Sequence, residues 1–131
     1  MRKFKITKKD NGMDKNIVQV HLTCWPDHTI PDAAYNKIID IINLVDDFKE
    51  KSPVVVHCSA GIGRTGTFIS LYNLYHEINE QINNKKLNEI HFSIMNLVRK
   101  LKEMRLYLVQ TELQYKFIYE FVRHILLKYN F

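Results

Sequence analysis

The feature that most constrains this chain is a junction. Pro53-Val54-Val55-Val56-His57 is a short β-branched run, and Gly61, Gly63 and Gly66 come within nine positions of its end. The run predicts a strand buried on both faces, the kind found inside a parallel sheet. A helix is expected from about Thr65 towards Gln81. Strand, glycine-rich turn and helix in that order predict the α/β class, with a central twisted mixed sheet flanked by helices. Ligands in such sheets sit at the carboxyl ends of strands. The loop from Cys58 to Arg64 therefore falls where a site belongs.

The rest of the chain supplies elements to surround that junction. Phe4-Lys5-Ile6-Thr7, the turn Asp10-Asn11-Gly12 and the run Ile17 to Leu22 predict a β-hairpin. Cys24-Trp25-Pro26-Asp27-His28-Thr29-Ile30-Pro31 carries two prolines and reads as a loop. Asp32 is expected to cap a helix with Tyr35, Ile38, Ile42 and Val45 on one face. A further helix is predicted from about Glu89 to Met104, with Ile90, Ile94, Leu97, Val98 and Leu101 aligned. Thr111-Glu112-Leu113-Gln114 has capping-box spacing. It opens a last helix that buries Phe117, Ile118, Phe121, Val122 and Ile125. No repeat or linker divides the 131 residues, so they read as one domain, 1–131.

Composition excludes several classes. Apolar residues make up 46% and charged residues 25%, which supports a packed core rather than disorder. The net charge of +5 favours anionic partners without choosing among them. Six basic residues between Met1 and Lys15 face only Asp10 and Asp14, and a solvated basic hairpin accounts for them. Two cysteines, neither in a C-x-x-C pair, do not make a secreted framework. No signal peptide and no bilayer-length apolar run are visible. The expectation is a cytosolic or nuclear protein with no membrane partner.

The loop itself dictates chemistry. Five residues separate Cys58 from Arg64. A loop curled before a helix aims several backbone N–H groups at one point, and the helix dipole adds positive potential there. A thiol at that point is expected to have its pKa lowered well below about 8.5, so that a ready thiolate nucleophile results. Arg64 offers a planar fork that fits two phosphate oxygens. Thr65 places a hydroxyl near the sulfur.

Two other templates fit less well. Gly61-x-Gly63-x-x-Gly66 matches the dinucleotide fingerprint, but that unit needs an acidic residue at the end of a second strand about twenty residues on. Glu77 and Glu80 fall in a predicted helix instead. A phosphate-binding loop of the Walker type would need lysine where Thr67 stands. Zinc would have to use Cys24, His28, His57 and Cys58, and their spacing suits no tetrahedral site. Cofactors and metals are therefore expected to be none.

His57-Cys58-Ser59-Ala60-Gly61-Ile62-Gly63-Arg64-Thr65-Gly66 resembles, nearly residue for residue, the signature of the tyrosine-specific branch of the protein tyrosine phosphatases. Trp25-Pro26-Asp27, with Asp27 thirty-one positions before the cysteine, resembles that family's mobile acid loop. Val109-Gln110-Thr111-Glu112-Leu113-Gln114-Tyr115 resembles its glutamine loop. The three motifs stand in the family's order, and the likeness covers about Val20 to Val122.

The resemblance implies roles. Cys58 would attack phosphorus and become phosphocysteine. Arg64 and the amides from Ser59 through Ala60, Gly61, Ile62 and Gly63 would hold the equatorial oxygens in place of a metal. Asp27 would act as general acid, then base. Gln110 would orient the attacking water, with Gln114 in support, and Thr65 would assist phosphocysteine breakdown. His57 would tune the thiolate from behind, and Trp25 with Pro26 would form the hinge of the acid loop. The implied partner is a phosphotyrosine protein or peptide. The chain is short for the family and shows neither its aromatic recognition loop nor the acid that braces the arginine. That shortness leaves two further expectations: a broad or weak activity, and a hairpin edge that a homodimer or a separate chain could cover. Three rival readings compete with the enzyme. One is a phosphotyrosine-trapping module. Another is an RNA 5′-phosphatase, which Asp27 disfavours along with nucleic-acid partners generally. The last is a thiol redox sensor.

Overall fold

The computed structural model describes residues 1–31, 35–49, 53–84 and 90–129. The chain opens with strands β1 (Arg2–Thr7) and β2 (Asp14–Gln19). Four helices follow: α1 (Tyr35–Lys49), α2 (Gly63–Asn83), α3 (Ile94–Met104) and α4 (Glu112–Lys128).

β1 and β2 pair antiparallel, with Phe4 opposite Ile17 and Thr7 opposite Asp14. Gly12 closes the turn at φ +66, and the Lys5 ammonium reaches the Asp14 carboxylate at 2.6 Å. Every residue of β1 is exposed. The hairpin is therefore held by its ladder and turn rather than by burial.

The core belongs to the helices. α2 packs on α4 and α3, and Leu71, Leu74, Ile78, Ile94, Val98, Phe117, Ile118, Phe121 and Ile125 form its centre, with Ile38 and Ile42 of α1 against them. Burying each such side chain is worth about 1.5–3 kcal/mol. Polar clips fix α1 to its neighbours. Tyr72 Oη of α2 donates to the Asp46 carboxylate at 2.5 Å, and His76 Nε2 sits 3.0 Å from the same group. Tyr35 stacks on Phe117 of α4 at 5.4 Å. Inside α2, the buried hydroxyls of Thr67 and Ser70 donate back to the Gly63 and Gly66 carbonyls, which satisfies them within the helix. No helix among the described residues is long and apolar enough to cross a membrane.

Three expectations change. Pro53–His57 joins no ladder among the described residues, and Val55 is 82% exposed rather than buried on both faces. β-propensity sets local backbone, but a ladder needs a neighbour, and the described strands are paired with each other in the hairpin. The third helix begins at Ile94, not near Glu89. The Ser93 hydroxyl accepts from Asn96 N and caps it, although Ile90 lies in phase with Ile94. The second strand is Asp14–Gln19, so Val20 to Leu22 lie beyond it. The cap expected at Asp32 lies outside the described residues. The capping box at Thr111 is present in full.

Candidate active site

Helix α2 begins at Gly63, so Cys58 to Ile62 form the turn immediately before its N-terminus. Gly61 adopts φ +70, a left-handed conformation that glycine takes without the Cβ penalty. This lets the chain curl back on itself, and Gly61 N donates to Cys58 Sγ at 3.2 Å. Burial pushes the Cys58 thiol up, but the Thr65 hydroxyl and the amides of Thr65, Gly61 and Ile62 outweigh it and bring it down to about 7. Thr65 Oγ1 is buried without a hydrogen-bond partner of standard geometry among the described residues, so its proton is free to turn towards the sulfur.

Arg64, at the second position of α2, reaches across to the Trp25-Pro26-Asp27 loop. Its Nη1 donates to the Trp25 carbonyl at 3.0 Å, and its Nη2 lies 3.1 Å from Asp27 Oδ1. Arg64 Nε is buried and has no partner among the described residues, so one donor of the fork is unused. The acid loop is itself anchored. Trp25 is buried, sits edge-on to Phe117 at 6.3 Å, and donates through Nε1 to the Thr29 carbonyl at 2.8 Å. The Thr29 hydroxyl donates to the Pro26 carbonyl, and His28 takes φ 59 at the tip.

The glutamine segment closes the third side. Gly66 allows it to approach: a Cβ there would stand 2.5 Å from Val109 N. Val109 N donates to the Ile62 carbonyl at 3.3 Å. Gln110 and Gln114 both crowd Gly63, where a Cβ would meet Gln110 Oε1 at 3.0 Å. Gln110 is exposed. Gln114 is fully buried: its Oε1 accepts from the Gln110 and Thr111 amides, and its Nε2 donates to Thr29 O at 3.3 Å. Gln114 thus ties the helix cap, the glutamine segment and the acid loop together, which makes it a brace.

The structure therefore gathers Asp27, Cys58, Arg64, Thr65, Gln110 and Gln114 around one loop. Ser59 and Ala60 are exposed on its outer rim, while Ile62 and Gly63 turn inward. His57 is exposed, and its Nδ1 faces the Cys58 carbonyl at 3.3 Å rather than the sulfur. Both cysteines are free. Cys24, His28, His57 and Cys58 form no metal-ligand group among the described residues. One residue was not legible as part of the site. Arg105 Nη2 donates to the Ala60 carbonyl at 3.1 Å, and its guanidinium lies against Gly61. No motif or spacing in the sequence marks it.

A thiol cupped by backbone amides beside an arginine fork defines a class of oxyanion-binding loop. The comparisons make the class specific. The family model for the protein-tyrosine phosphatase domain matches residues 1–124. Human tyrosine-protein phosphatase non-receptor type 20 is 35% identical over 128 residues, covering 98% of this chain and 28% of that protein. Mouse receptor-type tyrosine-protein phosphatase eta is 36% identical, covering 96% of this chain and 10% of that protein. Among solved structures, the protein tyrosine phosphatase TbPTP1 of Trypanosoma brucei aligns with a TM-score of 0.76 at 32% identity, over 88% of this chain and 38% of that one. A structure of PTPN18, concerned with its fingerprint on distinct HER2 tyrosine phosphorylation sites, aligns with a TM-score of 0.75 at 26% identity over 95% of this chain and 42% of that one. The chain belongs to the protein-tyrosine phosphatase family, with the α/β fold of its neighbours, and spans well under half the length of these relatives.

Proposed function

We propose that the chain is a phosphotyrosine hydrolase working through a phosphocysteine. One observation carries the reading: the Cys58 sulfur, with its pKa brought down to about 7, shares a loop with a guanidinium that is 3.1 Å from the Asp27 carboxylate. Nucleophile, phosphate clamp and proton source are thereby assembled without a separate base for the thiol.

The reaction follows in two balanced steps. The Cys58 thiolate attacks phosphorus in line, and the bond from phosphorus to the tyrosyl oxygen breaks. That oxygen takes the proton of the Asp27 carboxyl and leaves as the neutral phenol. Arg64 and the loop amides compensate the charge on the three equatorial oxygens. Water, oriented by Gln110, then attacks the phosphocysteine while its proton passes to the Asp27 carboxylate. The S–P bond breaks, inorganic phosphate leaves, and the Thr65 hydroxyl supports the thiolate that returns. The substrate is a phosphotyrosine protein or peptide, because an acid placed for the leaving oxygen suits a phenol. A reducing compartment, cytosolic or nuclear, keeps Cys58 active.

The deciding experiment is steady-state hydrolysis of an aryl phosphate by this chain, wild type beside Cys58→Ser. Turnover abolished in the variant supports the enzyme. Phosphotyrosine binding with no turnover in the wild type points instead to a trapping module. Preference for triphosphorylated RNA over a phosphopeptide in competition would overturn the substrate assignment.

A further inference from the structure

The hydrogen bond from Gly61 N to Cys58 Sγ has a second end. That N–H belongs to the same peptide group as the Ala60 carbonyl, and in a planar trans peptide the two point in opposite directions. The Ala60 carbonyl accepts from Arg105 Nη2 at 3.1 Å, while Gly61 N reaches the sulfur at 3.2 Å. One peptide plane is thus gripped on one side by a cation and presents its donor to the nucleophile on the other.

The grip answers a specific need. Gly61 sits at φ +70, and glycine populates both signs of φ about equally. The Ala60–Gly61 peptide is therefore free to rotate by its own preferences, and a flipped plane would turn a carbonyl oxygen towards the sulfur. A charge-assisted hydrogen bond on the carbonyl opposes that flip. It also polarises the peptide and strengthens the N–H as a donor.

Arg105 is held in place to do this. Its own amide donates to the Leu101 carbonyl and closes α3. The residues after it carry backbone strain: Tyr107 at φ 68 and Val109 at φ 59 are both non-glycine. A β-branched residue there is an outlier that surrounding contacts must impose. Val109 N meets the Ile62 carbonyl, so the segment touches the loop on both sides of Gly61.

We propose that Arg105 is a positioning residue that locks the Ala60–Gly61 peptide with its N–H facing Cys58. The proposal rests on the functional reading above, and its test separates the two. Alkylation of Cys58 by iodoacetamide is followed against pH by mass spectrometry of the Cys58 peptide, in wild type, Arg105→Met, Arg105→Lys and Arg99→Met. The wild type is expected to titrate near 7. Arg105→Met raises the midpoint by about one unit and lowers kcat/KM for an aryl phosphate by roughly ten- to a hundredfold, the value of a hydrogen bond to a charged group. Arg105→Lys recovers part of both, and Arg99→Met, an exposed cation on the same helix, changes neither. Circular dichroism confirms that each variant is folded, as expected for exposed side chains. A wild-type midpoint near 7 that Arg105→Met leaves unmoved overturns the Arg105 role alone. A wild-type thiol that titrates at about 8.5 overturns the functional reading, and the Arg105 role with it.

Discussion

Cys58 and Asp27 reach their positions by different means, and variants separate them. The thiol depends on the Thr65 hydroxyl and on backbone amides, so no side-chain loss away from the loop and the first turn of α2 removes its activation entirely. In the proposed mechanism Asp27 acts only on the leaving group and the water. Asp27→Ala is therefore expected to lower kcat by roughly 10²–10⁴-fold with little change in phosphopeptide affinity, measured by steady-state kinetics beside equilibrium binding. Arg64→Lys is expected to damage both, by on the order of a hundredfold in kcat/KM, because a point charge cannot grip two oxygens. Stability carries the same signature. The folded thiol titrates near 7 and the unfolded one near 8.5. Between those values the unfolded chain holds the extra proton, so stability rises with pH there. It is lost again as pH falls through 7. Thermal melts of wild type minus Cys58→Ser across this window should show the rise, and a flat difference would contradict it.

At the scale of elements, the site is a contact between a helix start and a strained segment. Gly66 is where they meet most closely. Gly66→Ala places a methyl 2.5 Å from Val109 N, and that neighbour is backbone with no rotamer to yield. The expected cost is about 1–3 kcal/mol, with a larger fall in kcat than stability alone explains, because Gln110 shifts with Val109. Denaturant midpoints read beside kcat check both parts. Legibility in the sequence followed the same divide. Cys58, Arg64, Asp27 and the Thr111–Gln114 capping box were visible because each signal lies within a few residues. Arg105 was invisible because its partner, Ala60, is 45 positions away and no local rule demands an arginine at a helix end. Periodicity extends α3 too far upstream because Ile90 keeps phase with Ile94, and it does not see that Ser93 caps the helix.

For the whole molecule, order is unevenly distributed. Helices α2 and α4 carry most of the fully enclosed residues, with Ile38 and Ile42 of α1 beside them, while the hairpin β1–β2 buries almost nothing. Amide exchange is therefore expected to be slowest in α2 and α4 and fastest in β1–β2, since an isolated hairpin is marginal in water. Protection of β1 equal to that of α4 would show that something covers it. The same unevenness explains the failed strand. Three valines in a row describe a preference for extended backbone. Whether other strands lie alongside is decided by tertiary pairing that no local pattern reports.

The acid loop also contains the chain's single tryptophan. Trp25 is enclosed beside Phe117 and lies two residues from Asp27, so any opening of that loop moves the indole between an apolar and a wet environment. The protein consequently carries its own fluorescent reporter. Without a label, its emission spectrum would report any movement of the segment that carries Asp27 under the function proposed above.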